Sequence, residues 1–161
     1  MQRGTLILDE IKEIGLTENE YKRVLLQKDD LLLVEGNGNP EEIGRAALWD
    51  GSIEGCVHQN HLIRERCGLN MLVPEYLLTV LNTGAGKQYF KDSGSTTSGL
   101  VTLSTSIVKR LEVPLPPIAL QRQFAVRVAE VRAMEAQQAA SRQRLDDLFQ
   151  SMLQRAFRGE L

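Results

Sequence analysis

Three prolines in four positions, Pro114, Pro116 and Pro117 within Val113-Pro114-Leu115-Pro116-Pro117, divide this chain. Proline lacks the backbone donor and restricts the residue before it, so no regular element continues through the stretch. Behind it the constraint reverses. From Ile118 to Phe157 there is neither proline nor glycine, and the next glycine is Gly159. The run is rich in Ala, Gln, Arg, Leu and Glu, which favour helix. The pattern predicts one helix of roughly 38 residues, about 57 Å long at 1.5 Å per residue. Its apolar positions form a heptad-like series: Phe124, Val131, Met134, Gln138, Ser141, Leu145, Leu148 and Met152, flanked by Val128 and Leu153. The ends of that series are apolar, and its middle is polar at Gln138 and Ser141. Such a stripe calls for a partner helix in a coiled coil, where polar seam positions fix register at a cost in stability.

The front part reads as alternating short strands and helices, an α/β or α+β domain. Leu6-Ile7-Leu8 is expected to be a strand, or the start of a helix taking in Ile11 and Ile14. Thr17 with Glu20 fits a capping box for a brief helix over 18–23. Leu31 to Val34 reads as a short buried strand, halted by Gly36-Asn37-Gly38-Asn39-Pro40, with the two glycines expected in a tight turn at positive φ. A second strand is expected over 44–49. Residues 55–66, apolar at the ends and polar at His58-Gln59-Asn60-His61, read as a strand crossing a solvent-facing or ligand-facing region. Pro74 suits a first helical turn, and another short helix is expected over 87–90. Residues 91–99 read as a hydroxyl-rich loop and 100–103 as a strand or extended run. Ser104 is placed to cap a short helix in which Ile107 and Leu111 pack on Leu103.

Composition sets limits. The 161 residues carry a net charge of −2, and 42% are hydrophobic, ordinary for a globular domain with a sizeable core. No apolar run approaches the roughly 18 residues of a membrane span, and no long apolar core follows Met1 to Gly4 as a signal peptide requires. Cys56 and Cys67 make no disulfide framework, so a reducing, cytoplasmic setting is expected. Residues 1–117 hold 12 Lys and Arg against 16 Asp and Glu, and residues 118–161 hold 7 Arg against 5 acids. A nucleic-acid binder with this balance must rely on a local basic face.

The catalytic motifs are thin. Cys56, His58 and His61 invite a metal reading, but on a strand alternate residues face opposite ways and the set does not converge. Gly36-x-Gly38 lacks the third glycine of a dinucleotide fingerprint, since Glu41 stands there. The serines at 93, 95 and 98 have no evident base. The polar segment is more telling. Gln59 and Asn60 have the donor–acceptor pair that reads adenine, and Arg64 has the fork that reads guanine. Ser95, Thr96 and Thr97 can hold phosphates or base edges. The competing reading is a solvated face beside a polar loop.

Three segments carry a resemblance: Asp30-Leu31-Leu32-Leu33-Val34-Glu35-Gly36-Asn37-Gly38, Ile43-Gly44-Arg45-Ala46-Ala47, and His58 to Arg64. They look like the target-recognition domain of the DNA specificity subunit of type I restriction-modification systems. The junction Val113 to Phe124 and the ending Leu153-Gln154-Arg155-Ala156-Phe157-Arg158-Gly159-Glu160-Leu161 resemble the start and terminus of that family's spacer helix.

The resemblance implies a non-catalytic recognition domain over residues 1–113, a proline-rich joint over 114–117 and a spacer helix over 118–161. It also implies that the chain is a half-length subunit or a fragment, short at its N-terminus. The expected partners are double-stranded DNA, the methyltransferase (M) subunits and, through them, the restriction (R) subunit. A homodimer through the long helix would use Phe124, Val131, Met134, Leu145, Leu148 and Met152. No cofactor or metal is expected on this chain; S-adenosylmethionine, ATP and Mg would sit on partner subunits. The DNA-contacting candidates are Asn37, Asn39, Arg45, His58, Gln59, Asn60, His61, Arg64, Lys91, Ser95, Thr96 and Thr97. The alternative function is a coiled-coil oligomerisation or protein-interaction module that binds no DNA.

Overall fold

The computed structural model describes residues 1–68, 71–97 and 99–160, without the side chains of Thr96 and Thr97. The chain forms two compact units, Met1–Arg122 and Gln123–Leu161.

The front unit is a mixed α/β domain built on two small antiparallel sheets. The first has the order β3-β1-β4, with β1 Leu31–Val34 central, β3 Ala46–Leu48 on one side and β4 Leu62–Glu65 on the other. The second has the order β2-β6-β5, made of β2 Gly36–Asn37, β6 Leu100–Thr102 and β5 Ser95–Thr97. Its helices are α1 Glu18–Val24, α2 Pro74–Asn82, α3 Gly84–Ser93 and α4 Thr105–Lys109, with a 3-10 turn at Pro40–Glu42.

Strand β1 is apolar without alternation because both of its faces are covered. Leu31 and Leu33 join the main core with Ile43, Ala46, Leu78, Leu81, Phe90 and Leu103. Leu32 points into a second cluster with Leu26 and Trp49. Each fully buried leucine contributes about 1.5–3 kcal/mol of transfer free energy. The outer edge of β3 is closed by a side chain: the Asn82 amide donates to Ala46 O and its carbonyl accepts from Ala46 N, both at 2.9 Å.

Local signals explain the helix ends. Thr17 and Glu20 form the reciprocal capping box at the start of α1. Pro74 begins α2, and Ser104 Oγ accepts from Ile107 N at the start of α4. At Gly44, φ is +64° and a Cβ would lie 2.5 Å from Phe90 Cδ2, so both the backbone and the core require glycine.

Helix α5 runs over Ile118–Phe157, 40 residues. Its start is tied into the front unit by Gln121, which is 1% exposed. Gln121 Oε1 accepts from Val73 N at 2.9 Å, and Nε2 donates to Met71 O at 3.0 Å and Pro116 O at 2.8 Å. In the second unit, Val131, Met134, Leu145, Leu148 and Met152 are exposed, between 48% and 64%. Phe124 is exposed to 39%.

Several expectations are corrected. Leu6-Ile7-Leu8 forms neither strand nor helix; Leu6 and Leu8 pack irregularly against the Leu32 cluster. Residues 58–61 are not part of a strand but lead through a turn into β4. The 91–99 segment is no simple loop. Helix α3 extends to Ser93, and Ser95 to Thr97 form a strand paired to β6; Ser98 lies outside the described residues. Gly36 and Gly38 do not adopt positive φ. Gly36 pairs with Thr102 in extended conformation, and the bend after it is made by asparagine side chains.

Candidate nucleic-acid interface

The register of the first sheet decides which candidate residues meet. Glu35 follows β1, Arg45 precedes β3 and His61 precedes β4, so all three lie at one end of the sheet. The ladder continues there: Val34 N donates to Arg45 O at 3.0 Å and Glu35 N to His61 O at 3.1 Å. β2 begins one residue later, at the same end, and carries the chain into the second sheet. Asn37, Asn39, Arg45 and the 58–61 turn are thereby brought to one rim of the domain. Ser95 enters through Thr102, which pairs with both Gly36 and Ser95.

At this rim Asn37 Oδ1 accepts from Asn39 N at 2.8 Å, and Asn39 Oδ1 accepts from Glu41 N at 3.0 Å. These two side-chain-to-backbone bonds make the bend and cap the 3-10 turn. They engage the carbonyl ends and point to an ordered, pre-shaped loop. Gln59, Asn60 and His61 are exposed, and His58 is half-buried with Nδ1 3.1 Å from Gln59 O. His58 N donates to Val24 O at 3.1 Å, which pins the base of the turn. Ser95 Oγ lies 3.2 Å from Thr102 Oγ1. The side chains of Thr96 and Thr97 lie outside the described set.

Several cations gather near Glu41 and Glu42. Lys87 and Lys91 share the carboxylate of Glu41, Lys87 at 3.1 Å. Arg45 Nη1 stands 3.3 Å from Glu42 Oε2. Arg3 donates to Glu41 O at 2.5 Å and lies 3.4 Å from Asn82 Oδ1. Gln2, Arg3, Glu42 and Arg45 line a hollow. Glu41 and Glu42 thus pair with Lys87, Lys91 and Arg45, Asp92 also acts on Lys91, and Arg3 is held by a backbone carbonyl, so cations and carboxylates are interleaved here. The two lysine contacts hold the Glu41 carboxyl down to about 2, and Glu41 in turn raises the Lys91 ammonium.

Arg64 is placed elsewhere. It sits opposite Leu32 in the ladder, and its Nη1 donates to Leu25 O at 2.7 Å. The guanidinium braces the segment after α1 and does not gather with the rim. Arg3, Glu41 and Lys87 belong to the rim but escaped the sequence reading. Arg3 and Lys87 are far from it along the chain; the Lys87–Lys91 spacing of one helical turn was the available signal.

The strand argument against a Cys56, His58 and His61 metal site does not hold, because residues 58–61 turn. Among the described residues, no three His, Cys, Asp or Glu side chains cluster as a ligand set. The Cys56 thiol is pushed up by burial. The Cys67 thiol is pushed up to about 11, first by burial and then by carboxylates including Glu65 and Glu75, which disfavours its thiolate form. Among the described residues, no helix is long and apolar enough to cross a membrane.

No family model matches the chain. Individual relatives do. The chain is 33% identical over 161 residues to the type I restriction enzyme StySPI specificity subunit of Salmonella potsdam, a match covering 96% of this chain and 34% of that protein. It is 31% identical over 170 residues to the type I restriction enzyme EcoKI specificity subunit of Escherichia coli strain K12, covering 100% of this chain and 36% of that protein. The chain is therefore related, along essentially its whole length, to the specificity subunits of type I restriction enzymes. It spans about a third of the length of these curated relatives.

Proposed function

We propose that this chain is a non-catalytic DNA-recognition segment of a type I restriction-modification complex. In this reading the front unit reads one half of a bipartite site and the chain docks the methyltransferase subunit. Helix α5 pairs with a partner helix, in a homodimer or within a longer subunit. The observation that carries the proposal is the rim. Asn37, Asn39, Arg45, the 58–61 turn and Ser95 lie there without Arg64, near the paired cations Lys87 and Lys91, in a chain related to specificity subunits. The exposed turn 59–61 supplies amide and imidazole groups for base edges, while Lys91, Arg45 and their neighbours supply charge for phosphates. Cofactor chemistry belongs, on this account, to the partner subunits.

Band-shift titrations of the chain with its methyltransferase subunit test the reading. A sequence preference that survives rising salt supports it, because phosphate contacts weaken with salt and base contacts discriminate. Equal affinity for all duplexes at every salt concentration contradicts it. The acidic balance of residues 1–117 and the exposed apolar residues of α5 favour a second reading, a protein-interaction module joined through its helix. That module would show no DNA affinity above background.

A further inference from the structure

Glu41 is held in an unusual number of ways for a surface carboxylate. Each of its two oxygens faces a different lysine, Oε2 with Lys87 and Oε1 with Lys91. The two lysines stand four residues apart on α3 and so share one face of the helix. The backbone is clamped as well: Asn39 caps the Glu41 amide, and Arg3 takes the Glu41 carbonyl. The carboxylate is thus fixed in position, while the lysines remain about 40% exposed. Next to it Arg45 has only Glu42, at 3.3 Å, and its buried Nε has no partner among the described residues.

An anion with two oxygens directed at two ammonium groups is the arrangement a DNA phosphate would make. We propose that Glu41 is an internal stand-in for a backbone phosphate, occupying Lys87 and Lys91 until duplex DNA displaces it. This rests on the DNA-recognition reading above and adds to it a device against indiscriminate binding. Two strong phosphate ligands are withheld from any passing duplex and released to one that docks well enough to replace the carboxylate. Exposed ion pairs of this kind are individually weak, so the exchange is readily reversible. The charge arithmetic agrees: with Glu41 in place the trio contributes one net positive charge, and without it two.

The test is duplex binding by the full chain with its methyltransferase subunit over a salt series, for wild type, Glu41→Gln, Lys87→Ala/Lys91→Ala and the triple variant. Glu41→Gln should bind random-sequence duplex about three- to tenfold more tightly at low salt, with a log–log salt slope steeper by about 1. The lysine double variant should bind more weakly than wild type, and adding Glu41→Gln to it should restore nothing. Wild type that prefers one sequence, with Glu41→Gln no tighter on random duplex, overturns the stand-in and leaves the recognition reading intact. A Glu41→Gln gain that persists without the two lysines also overturns it, by reducing the effect to general charge. Absence of binding by both wild type and Glu41→Gln removes the recognition reading and the stand-in together. Equal thermal melting temperatures of wild type and Glu41→Gln show that the comparison is made on folded protein.

Discussion

Arg66 grips Asp30 with two parallel hydrogen bonds, Nε to Oδ1 at 2.6 Å and Nη2 to Oδ2 at 2.7 Å. The Asp30 side chain has no exposure, whereas that of Arg66 is 42% exposed. Asp30 Oδ2 also accepts from Gln27 N at 2.8 Å, so the carboxylate closes the turn that leads into β1. Removing the guanidinium leaves a buried carboxylate with one remaining donor. Arg66→Ala should cost about 2 kcal/mol in urea unfolding, below the range for fully buried pairs because Arg66 is partly solvated. Arg66→Lys should recover only part of this, since a point charge cannot make the paired contact.

The same pair predicts an acid sensitivity. Burial pushes the Asp30 carboxyl up, but the Arg66 bond, the Gln27 amide and the Arg66 and Arg64 charges outweigh it and leave the carboxyl below its ordinary value. The unfolded chain therefore binds this proton more readily. The contribution is fully present above the unfolded value of about 3.9 and is lost as pH falls through the folded one. Urea midpoints measured from pH 6 to pH 2 should fall at the acid end for wild type. The drop should be smaller for Arg66→Ala, whose carboxyl has lost its main reason to stay ionised.

Gln121 joins three backbone groups on two stretches of chain, and neither donor nor acceptor is left over from its main contacts. Gln121→Ala should lower stability by about 2–3 kcal/mol, because Val73 N, Met71 O and Pro116 O lose partners in a site closed to water. Gln121→Glu should be no better. It keeps the acceptor for Val73 N but cannot donate to the two carbonyls. Thermal melts of the two variants check this.

The account of α5 is tested by charge. Leu145 and Leu148 are 64% and 57% exposed, on the stripe assigned to a partner helix. Leu145→Asp or Leu148→Asp should yield monomers in sedimentation, since a carboxylate in such a seam would be desolvated without a partner. Dimers surviving both changes would place the interface elsewhere.

What the sequence disclosed and what it hid follow a physical rule. Local chemistry was readable: Thr17 and Glu20 for a cap, Pro74 for a first turn, and the uninterrupted run from Ile118 for the helix. Three features set by pairing rather than by local residue pattern were not. Ser95 to Thr97 have no apolar alternation, and their strand exists because β6 offers a ladder. Residues 58–61 look like a strand interior because they lie between apolar ends, but only His61 bonds to the β1 side and strand β4 itself begins at Leu62. Asp30 and Arg66 are ordinary charges in the sequence, and only the fold makes one of them buried. At the rim, the asparagines and the polar turn were legible as candidates. The Arg64 bond to Leu25 O was hidden because a guanidinium that braces a carbonyl and one that reads guanine look alike in a sequence.

The proposed roles of base-reading amides and phosphate-binding cations predict two kinds of variant. Gln59→Ala and Asn60→Ala should each reduce discrimination between matched and mismatched duplex by about 1–3 kcal/mol while leaving random-sequence affinity nearly unchanged. Arg45→Ala should weaken binding to all sequences and flatten the salt dependence by about 1. Competition titrations with matched and scrambled duplexes separate the two behaviours.

The most direct measurement of the central claim is selection from a pool of randomised duplexes by the chain with its methyltransferase subunit, followed by affinities for the winner and for a scrambled control. The account predicts a defined motif bound at least about a thousandfold more tightly than the control at physiological salt. A selected pool as random as the starting one, with equal affinities, would contradict it.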